Sequence, residues 1–102
     1  MNELFNIQDK VIAVTGAAGV LAGGTANYLQ KQGAYVIYLD LFQDKVDAVV
    51  EEARKISDKC CGFACNVLDQ NALDEVYNKV LETCGRIDVL INGAGGNMPG
   101  AI

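Results

Sequence analysis

The chain has 102 residues, of which 51% are hydrophobic and 21% are charged, which is enough apolar sequence for one packed domain and too much for a disordered segment. Its net charge of −5 disfavours a nucleic-acid partner, because phosphate backbones are bound by clustered Lys and Arg side chains. No apolar run reaches the roughly 18 residues of a membrane span, and the acidic amino terminus does not resemble a signal peptide, so we expect a cytoplasmic protein without a membrane partner.

Short apolar runs alternate with helical stripes along the first half of the chain. Residues 11–14 form a continuous apolar run, which is followed by a glycine-rich segment and by a helical stretch that ends at Gly33. A second run covers residues 35–39. The stripe after it has the spacing of one helix face and consists of Val46, Val49, Val50, Ala53 and Ile56. The pattern predicts a strand, a helix, a second strand and a second helix.

The second half of the chain repeats this alternation. A third short run lies around Phe63, between Gly62 and Asp69. The helical stripe that follows is the most regular one in the chain and consists of Leu73, Val76, Tyr77, Val80, Leu81 and Cys84. Asp69 is placed to cap the amino end of this helix, and Gly85 is placed to end it. A fourth run covers residues 87–91, so the predicted order is β-α-β-α-β-α-β.

This order of elements predicts an α/β fold. Continuous apolar strands that alternate with amphipathic helices indicate a parallel sheet covered by helices on both faces. Right-handed crossovers and a glycine-rich first turn favour the strand order 3-2-1-4. We therefore expect residues 1–102 to form the first half of a doubly wound, three-layer Rossmann-type fold.

Metal and disulfide chemistry are not indicated. Histidine is absent, and the four cysteines, Cys60, Cys61, Cys65 and Cys84, show no CxxC spacing. We expect no metal site, and we interpret the cysteines as small buried side chains of a reduced protein.

A glycine-rich turn follows the first predicted strand at residues 15–24. Gly16 can make the tight turn, and the small Gly19 leaves room for phosphate groups at the amino end of the next helix, where unpaired N–H groups attract anions. The alternative is a loop that only packs the helix against the strand.

Asp40 ends the second predicted strand, 24 residues after Gly16. A carboxylate at this position can accept hydrogen bonds from both hydroxyl groups of an adenosine ribose, and it repels a 2′-phosphate. Because Leu41 rather than a basic residue follows it, we expect NAD rather than NADP. The alternative interpretation of Asp40 is a solvated strand end.

Four segments, in order along essentially the whole chain, resemble the amino-terminal part of the short-chain dehydrogenase/reductase family. They are similar to the family's TGxxxGxG turn, acidic strand end, Asp-Val pair and NNAG segment, and they read Thr15-Gly16-Ala17-Ala18-Gly19, Asp40, Asn66-Val67 and Asn92-Gly93-Ala94-Gly95. Within the family, the Gly19-Val20-Leu21 turn and residues 92–99 are similar to the D-mannonate oxidoreductase (fructuronate reductase) branch.

The sequence departs from the family pattern at four positions. The second and third glycines of the turn are replaced by Val20 and Ala22. Asn66 replaces the aspartate of the Asp-Val pair, and Gly93 replaces the second asparagine of NNAG. We expect a slightly reshaped turn, and an Asn66 oxygen that can still accept a hydrogen bond from the adenine amino group.

The resemblance implies a cofactor site along the strand ends. The residues implied to line the adenosine ribose and pyrophosphate are Gly16, Gly19, Val20 and Leu21, and those implied to face the ribose are Asp40 and Leu41. The residues implied to hold the adenine are Asn66 and Val67. The residues implied to lie beside the ribose nearer the nicotinamide are Asn92, Ala94 and Gly95. The alternatives are a strand-end cap for Asn92 and a core position for Val67.

The resemblance also implies an oxidoreductase that interconverts a carbonyl and a secondary alcohol with NAD, on a small-molecule substrate such as the sugar acids D-mannonate and fructuronate. The family reaction uses a Tyr-x-x-x-Lys pair and a serine, both after the NNAG segment. None of the four tyrosines of this chain has a lysine four positions further on, and the one serine is Ser57. We therefore expect the cofactor-binding part of a truncated enzyme, which is inactive by itself.

Two other functions stay open at this point. One is a stand-alone, non-catalytic nucleotide-binding or interaction module. The other is an extended relative with a GxxGxxG turn, whose first spacing Gly16 and Gly19 match, but whose last glycine is replaced by Ala22. The fourth strand would end the sheet with an open edge, so we expect a homo-oligomer or a fragment of a longer protein.

Overall fold

A computed structural model describes residues 7–93 as a four-stranded sheet flanked by three helices. The strands are β1 (Val11–Thr15), β2 (Tyr35–Asp40), β3 (Cys60–Ala64) and β4 (Val89–Asn92), and the helices are α1 (Val20–Lys31), α2 (Gln43–Ala53) and α3 (Gln70–Cys84). The strands pair in parallel in the order β3-β2-β1-β4, which confirms the predicted fold class. Within residues 7–93, no helix is long and apolar enough to cross a membrane.

The central strand β1 lies between two hydrophobic clusters. Its five residues are all buried, and its apolar side chains alternate between the two faces of the sheet. Val14 packs in the cluster that includes Ala26 of α1 and Val46 of α2. Ala13 packs in the cluster that includes Val80 of α3. Helices on both faces explain why this strand is apolar throughout rather than alternating with polar residues.

Three element boundaries differ from the predicted ones. β3 begins at Cys60, three residues before the predicted run. β4 begins two residues later than the run 87–91. Just before it, the Asp88 N–H donates to the Val11 carbonyl (2.8 Å), and the Asp88 carboxylate accepts the Val11 N–H (2.8 Å). α2 ends three residues before Ile56, which lies in the following turn instead of on the helix.

Both ends of α3 follow the local sequence signals. The Asp69 carboxylate accepts a hydrogen bond from the Asn71 N–H (3.0 Å), and Gly85 ends the helix with a φ of 83°. Both predictions are confirmed. Tyr77 was expected on the buried face but is 51% exposed, since the sheet covers a narrower part of the helix around Val80.

A buried polar network joins α1, β2 and the segment after α2. Gln30 is only 2% exposed, and its amide nitrogen donates to the Ala53 carbonyl (2.9 Å) and to Ser57 Oγ (3.0 Å). The Tyr38 hydroxyl donates to Gln30 Oε1 (2.7 Å). Such buried polar groups are stable only when they are paired, so the network gives Ser57 a structural role.

The four cysteines are free thiols, of which Cys60 and Cys65 are buried and Cys61 and Cys84 are half-buried. Burial raises the pKa of each thiol, and that of Cys61 to about 11. The thiolate, which is the nucleophilic and metal-binding form, is therefore scarce at neutral pH. In the described range, no group of three or more His, Cys, Asp or Glu side chains is arranged to hold a metal ion.

Candidate cofactor site

β1 leads directly into a tight turn that is held by the neighbouring strand. Gly16 has a φ of 67°, which lies in the left-handed region that favours glycine. The Ala17 N–H donates to the Leu39 carbonyl of β2 (2.9 Å), and the Gly19 N–H donates to the Gly16 carbonyl (2.9 Å). These bonds keep the turn close to the end of β2.

The amino end of α1 has no side-chain cap. Gly19 is the N-cap residue, and it has no side-chain oxygen that could accept the first amides of the helix. Val20 and Leu21 point outward, with exposed fractions of 92% and 87%. Val20 therefore replaces a family glycine where its side chain has open space. The positive end of the helix is free to receive an anion.

The Asp40 carboxylate lies against this turn. Its Oδ2 accepts a hydrogen bond from the Ala18 N–H (2.9 Å), and its Oδ1 accepts one from the Leu41 N–H (2.7 Å). Two backbone amides thus hold the carboxylate in one orientation, and each oxygen keeps a second lone pair for a ligand. The structure brings the acidic strand end and the glycine-rich turn into direct contact.

Gly23 is the glycine that the close packing of α1 requires. A Cβ at Gly23 would lie 2.7 Å from the Ala17 carbonyl oxygen, whereas a Cβ at Gly24 would meet no atom within 4 Å. In dinucleotide-binding turns the last glycine of the motif permits close helix–strand packing. In this chain Ala22 occupies that position, and Gly23, one residue further on, has the packing role, which the motif spacing does not predict. The sequence feature that indicates this role is the extra glycine directly after the motif.

Asn66 and Val67 lie in the loop between β3 and α3. Asn66 Oδ1 accepts a hydrogen bond from the Leu68 N–H (3.0 Å), so the oxygen predicted to bind adenine also stabilises its own loop. Val67 is half-buried and packs against the cluster on the α3 side of the sheet, as its alternative core role requires. The adenine-binding roles of both residues stay predictions.

Asn92 joins the end of β4 to the end of β1. The Thr15 hydroxyl donates to Asn92 Oδ1 (2.8 Å), and the Gly93 N–H donates to the Thr15 carbonyl (3.1 Å). Asn92 therefore has the strand-end role that was its alternative interpretation, and its place beside a nicotinamide ribose stays a prediction. Ala94 and Gly95, the last two predicted site residues, lie outside the described residues.

Apolar side chains surround this end of the sheet. The exposed ones that follow β1, β2 and β3 are Val20, Leu21, Leu41, Phe42 and Leu68. Exposed apolar groups that gather in one region are typical of ligand grooves. A cavity of about 440 Å³ lies elsewhere, between α2, β3 and the end of α3, and none of the predicted site residues lines it.

The sheet order, the glycine-rich turn into α1 and the carboxylate at the end of β2 together define a dinucleotide-binding fold of the Rossmann type. More narrowly, the family model for short chain dehydrogenases matches residues 10–102. The chain belongs to the short-chain dehydrogenase family, whose members are oxidoreductases.

Individual relatives agree with this assignment. The uncharacterized oxidoreductase UxuB of Bacillus subtilis is 38% identical over 97 residues, which are 95% of this chain and 35% of that protein. A candidate D-mannonate oxidoreductase from Haemophilus influenzae, solved with bound NAD, is 38% identical with a TM-score of 0.84, over 92% of this chain and 34% of that one. The 2-keto-3-deoxy-D-gluconate dehydrogenase of Streptococcus agalactiae is 31% identical with a TM-score of 0.82, over 89% and 34% of the two chains.

The chain spans about a third of the length of these relatives. The similarities confirm the family assignment and the resemblance to the D-mannonate oxidoreductase branch.

Proposed function

We propose that this chain binds NAD across the carboxyl ends of β1 and β2, as the cofactor-binding part of an oxidoreductase that interconverts a carbonyl and a secondary alcohol. The observation that carries the proposal is the hydrogen bond of 2.9 Å between Asp40 Oδ2 and the Ala18 N–H. Through this bond an acceptor suited to a ribose diol lies directly beside a turn suited to a pyrophosphate.

The residues of this edge fit a dinucleotide in size and in charge. Gly19 adds no side chain at the amino end of α1, and Gly23 allows the helix to approach the turn closely. The uncapped amides of α1 favour the negative pyrophosphate. NAD supplies the hydride-accepting nicotinamide when it is bound, and the chain's own residues bind and orient it.

Asp40 also supports a preference for NAD over NADP. A carboxylate that two backbone amides hold in place would lie next to the extra 2′-phosphate of NADP and repel it. The next two residues, Leu41 and Phe42, carry no positive charge that could offset this repulsion.

For the whole protein we propose a sugar acid as substrate. The support is the similarity to a candidate D-mannonate oxidoreductase and to a 2-keto-3-deoxy-D-gluconate dehydrogenase, at 38% and 31% identity.

The 102 residues contain no Tyr-x-x-x-Lys pair, so we propose that by themselves they bind the cofactor without catalysing the reaction. We also propose that the whole protein is a homo-oligomer.

The cofactor proposal is tested by titrating the protein with NAD and with NADP in a calorimeter. We expect NAD to bind at least about 10-fold more tightly, which corresponds to about 1.4 kcal/mol. Asp40→Asn should weaken NAD binding by about 10-fold, because hydrogen bonds to a charged acceptor contribute about 1.5–3 kcal/mol. The matched control is Asp58→Asn, which removes the same charge from an exposed position before β3, at the opposite end of the sheet.

Equal or tighter binding of NADP to the unmodified protein would contradict the preference for NAD. An equal loss of NAD binding in Asp40→Asn and in Asp58→Asn would contradict the role of Asp40.

The substrate proposal is tested separately, by following NADH formation by the product of the complete gene with D-mannonate and other sugar acids. Activity on simple alcohols alone would contradict it.

A further inference from the structure

Two of the residues that depart from the family pattern meet in the structure. Ala22 lies in the first turn of α1, and Gly93 directly follows β4. A Cβ at Gly93 would lie 2.6 Å from the Ala22 Cβ and 2.6 Å from the Thr15 carbonyl oxygen. Such distances are far inside van der Waals contact, so the methyl group of Ala22 and a side chain at position 93 exclude each other.

We propose that Ala22 and Gly93 form one steric pair, which positions the end of β4, and with it Asn92, against the first turn of α1. The Ala22 methyl group fills the space that the missing side chain of Gly93 leaves. The two departures from the family pattern therefore meet in one space, which the Thr15 carbonyl oxygen also borders.

Neither partner of the pair can move away freely. Ala22 is half-buried and packs against the hydrophobic cluster on the side of α1 and α2. Gly93 is held by the hydrogen bond from its N–H to the Thr15 carbonyl (3.1 Å). A side chain at position 93 therefore has to push the strand end away from α1, because packed helices and strands yield only a little.

The effect on the cofactor rests on the proposed function. Asn92 is directly bonded to Gly93 in the chain, and its Oδ1 accepts the Thr15 hydroxyl (2.8 Å). A displaced Gly93 therefore shifts Asn92, which the family resemblance places near the nicotinamide ribose. Ala22 and Gly93 are positioning residues, and their substitution should disturb the nicotinamide half of the cofactor more than the adenosine half.

The steric pair is tested by a double-mutant cycle of Ala22→Gly, Gly93→Ala and the double variant, with melting temperature as the readout. Overpacking at Gly93→Ala should lower the melting temperature by about 4–8 °C or more. In the Ala22→Gly background, Gly93→Ala should lower the melting temperature by a smaller amount, with a difference of at least about 2 °C from its effect in the unmodified protein. Part of the decrease remains, because the Thr15 carbonyl oxygen is still close to position 93. Gly24→Ala is the matched control, since a Cβ there meets no atom within 4 Å, and it should not lower the melting temperature.

Cofactor affinity provides the second readout. Gly93→Ala should weaken NAD binding by about 10-fold and AMP binding by less than about 2-fold, and Ala22→Gly should restore part of the loss. Equal decreases in melting temperature in both backgrounds would overturn the steric pair. Equal losses for NAD and AMP would overturn the positioning of Asn92. If the unmodified protein binds no NAD, the proposed function fails, while the melting temperatures still decide on the pair.

Discussion

Gly23 and Gly24 are neighbours in α1, but the structure predicts opposite effects when each is replaced by alanine. At Gly23 the new Cβ would lie 2.7 Å from the Ala17 carbonyl oxygen, and at Gly24 it would meet nothing within 4 Å. Ala17 is fully buried, and its N–H is bonded to the Leu39 carbonyl, so it cannot retreat without disturbing the turn. The first substitution should destabilise the protein, and the second should stabilise it.

The magnitudes follow from two opposing contributions. In a helix interior, alanine is more stable than glycine by about 0.8–1 kcal/mol, and this gain applies to both positions. Overpacking costs about 1–3 kcal/mol, and it applies only at Gly23. The gain in helix propensity cancels when the two variants are compared with each other. We therefore expect Gly24→Ala to be more stable than Gly23→Ala by about 1–3 kcal/mol.

Urea denaturation followed by circular dichroism measures this difference directly, provided that both variants unfold with the slope of the unmodified protein. Because Ala17 belongs to the turn, Gly23→Ala should also weaken NAD binding, whereas Gly24→Ala should leave it unchanged. If the two variants are equally stable, the close approach of Gly23 to Ala17 does not exist in the molecule, and the packing described for the turn is wrong.

Three further predictions each concern one side chain. Asp69→Ala removes the carboxylate that caps α3 and should lower the free energy of unfolding in urea by about 1 kcal/mol; no loss would show that the cap contributes nothing. The Val11 N–H and the Arg86 side chain lower the pKa of Asp88, so its stabilising effect is present above the ordinary carboxyl pKa and is lost as pH falls. Stability should therefore decrease below about pH 4, less steeply in Asp88→Asn, and identical pH profiles would contradict the role of Asp88. Burial raises the pKa of Cys61 to about 11. Its reaction with iodoacetamide at about pH 8 should be about 100-fold slower than in the unfolded chain, because the thiolate fraction is smaller, and equal rates would refute this.

The elements that were predictable depend on short stretches of sequence. Asp69 and Gly85 were identified as the ends of α3, because a cap requires only a side chain and the amides two or three residues away. The start of β4 was less predictable. Ile87 begins the apolar run, but β4 begins only after Asp88, whose carboxylate accepts the Val11 N–H, and that contact joins residues 77 positions apart.

The candidate site shows the same division between local and distant information. Asp40 was predicted from its position after an apolar run, but its bond to the Ala18 N–H exists only once β1 and β2 lie side by side. Asn66 keeps a side-chain oxygen that can accept a hydrogen bond from adenine, yet this oxygen also accepts the Leu68 N–H. A residue type shows which bonds are available to a side chain, and the fold decides which of them form.

The order and kind of the elements, the glycine-rich turn after β1 and the acidic end of β2 can be read from the sequence, because periodicity, capping and turn formation are properties of neighbouring residues. The packed fold, in contrast, is needed to show that Gly23, rather than Gly24, must lack a side chain, and that Ala22 and Gly93 share one space. Ala22 and Gly93 are far apart in the chain, and the turn at Ala17 is held against Gly23 by the distant Leu39 of β2. Distances of a few ångströms between such groups are set when the sheet and helices pack together.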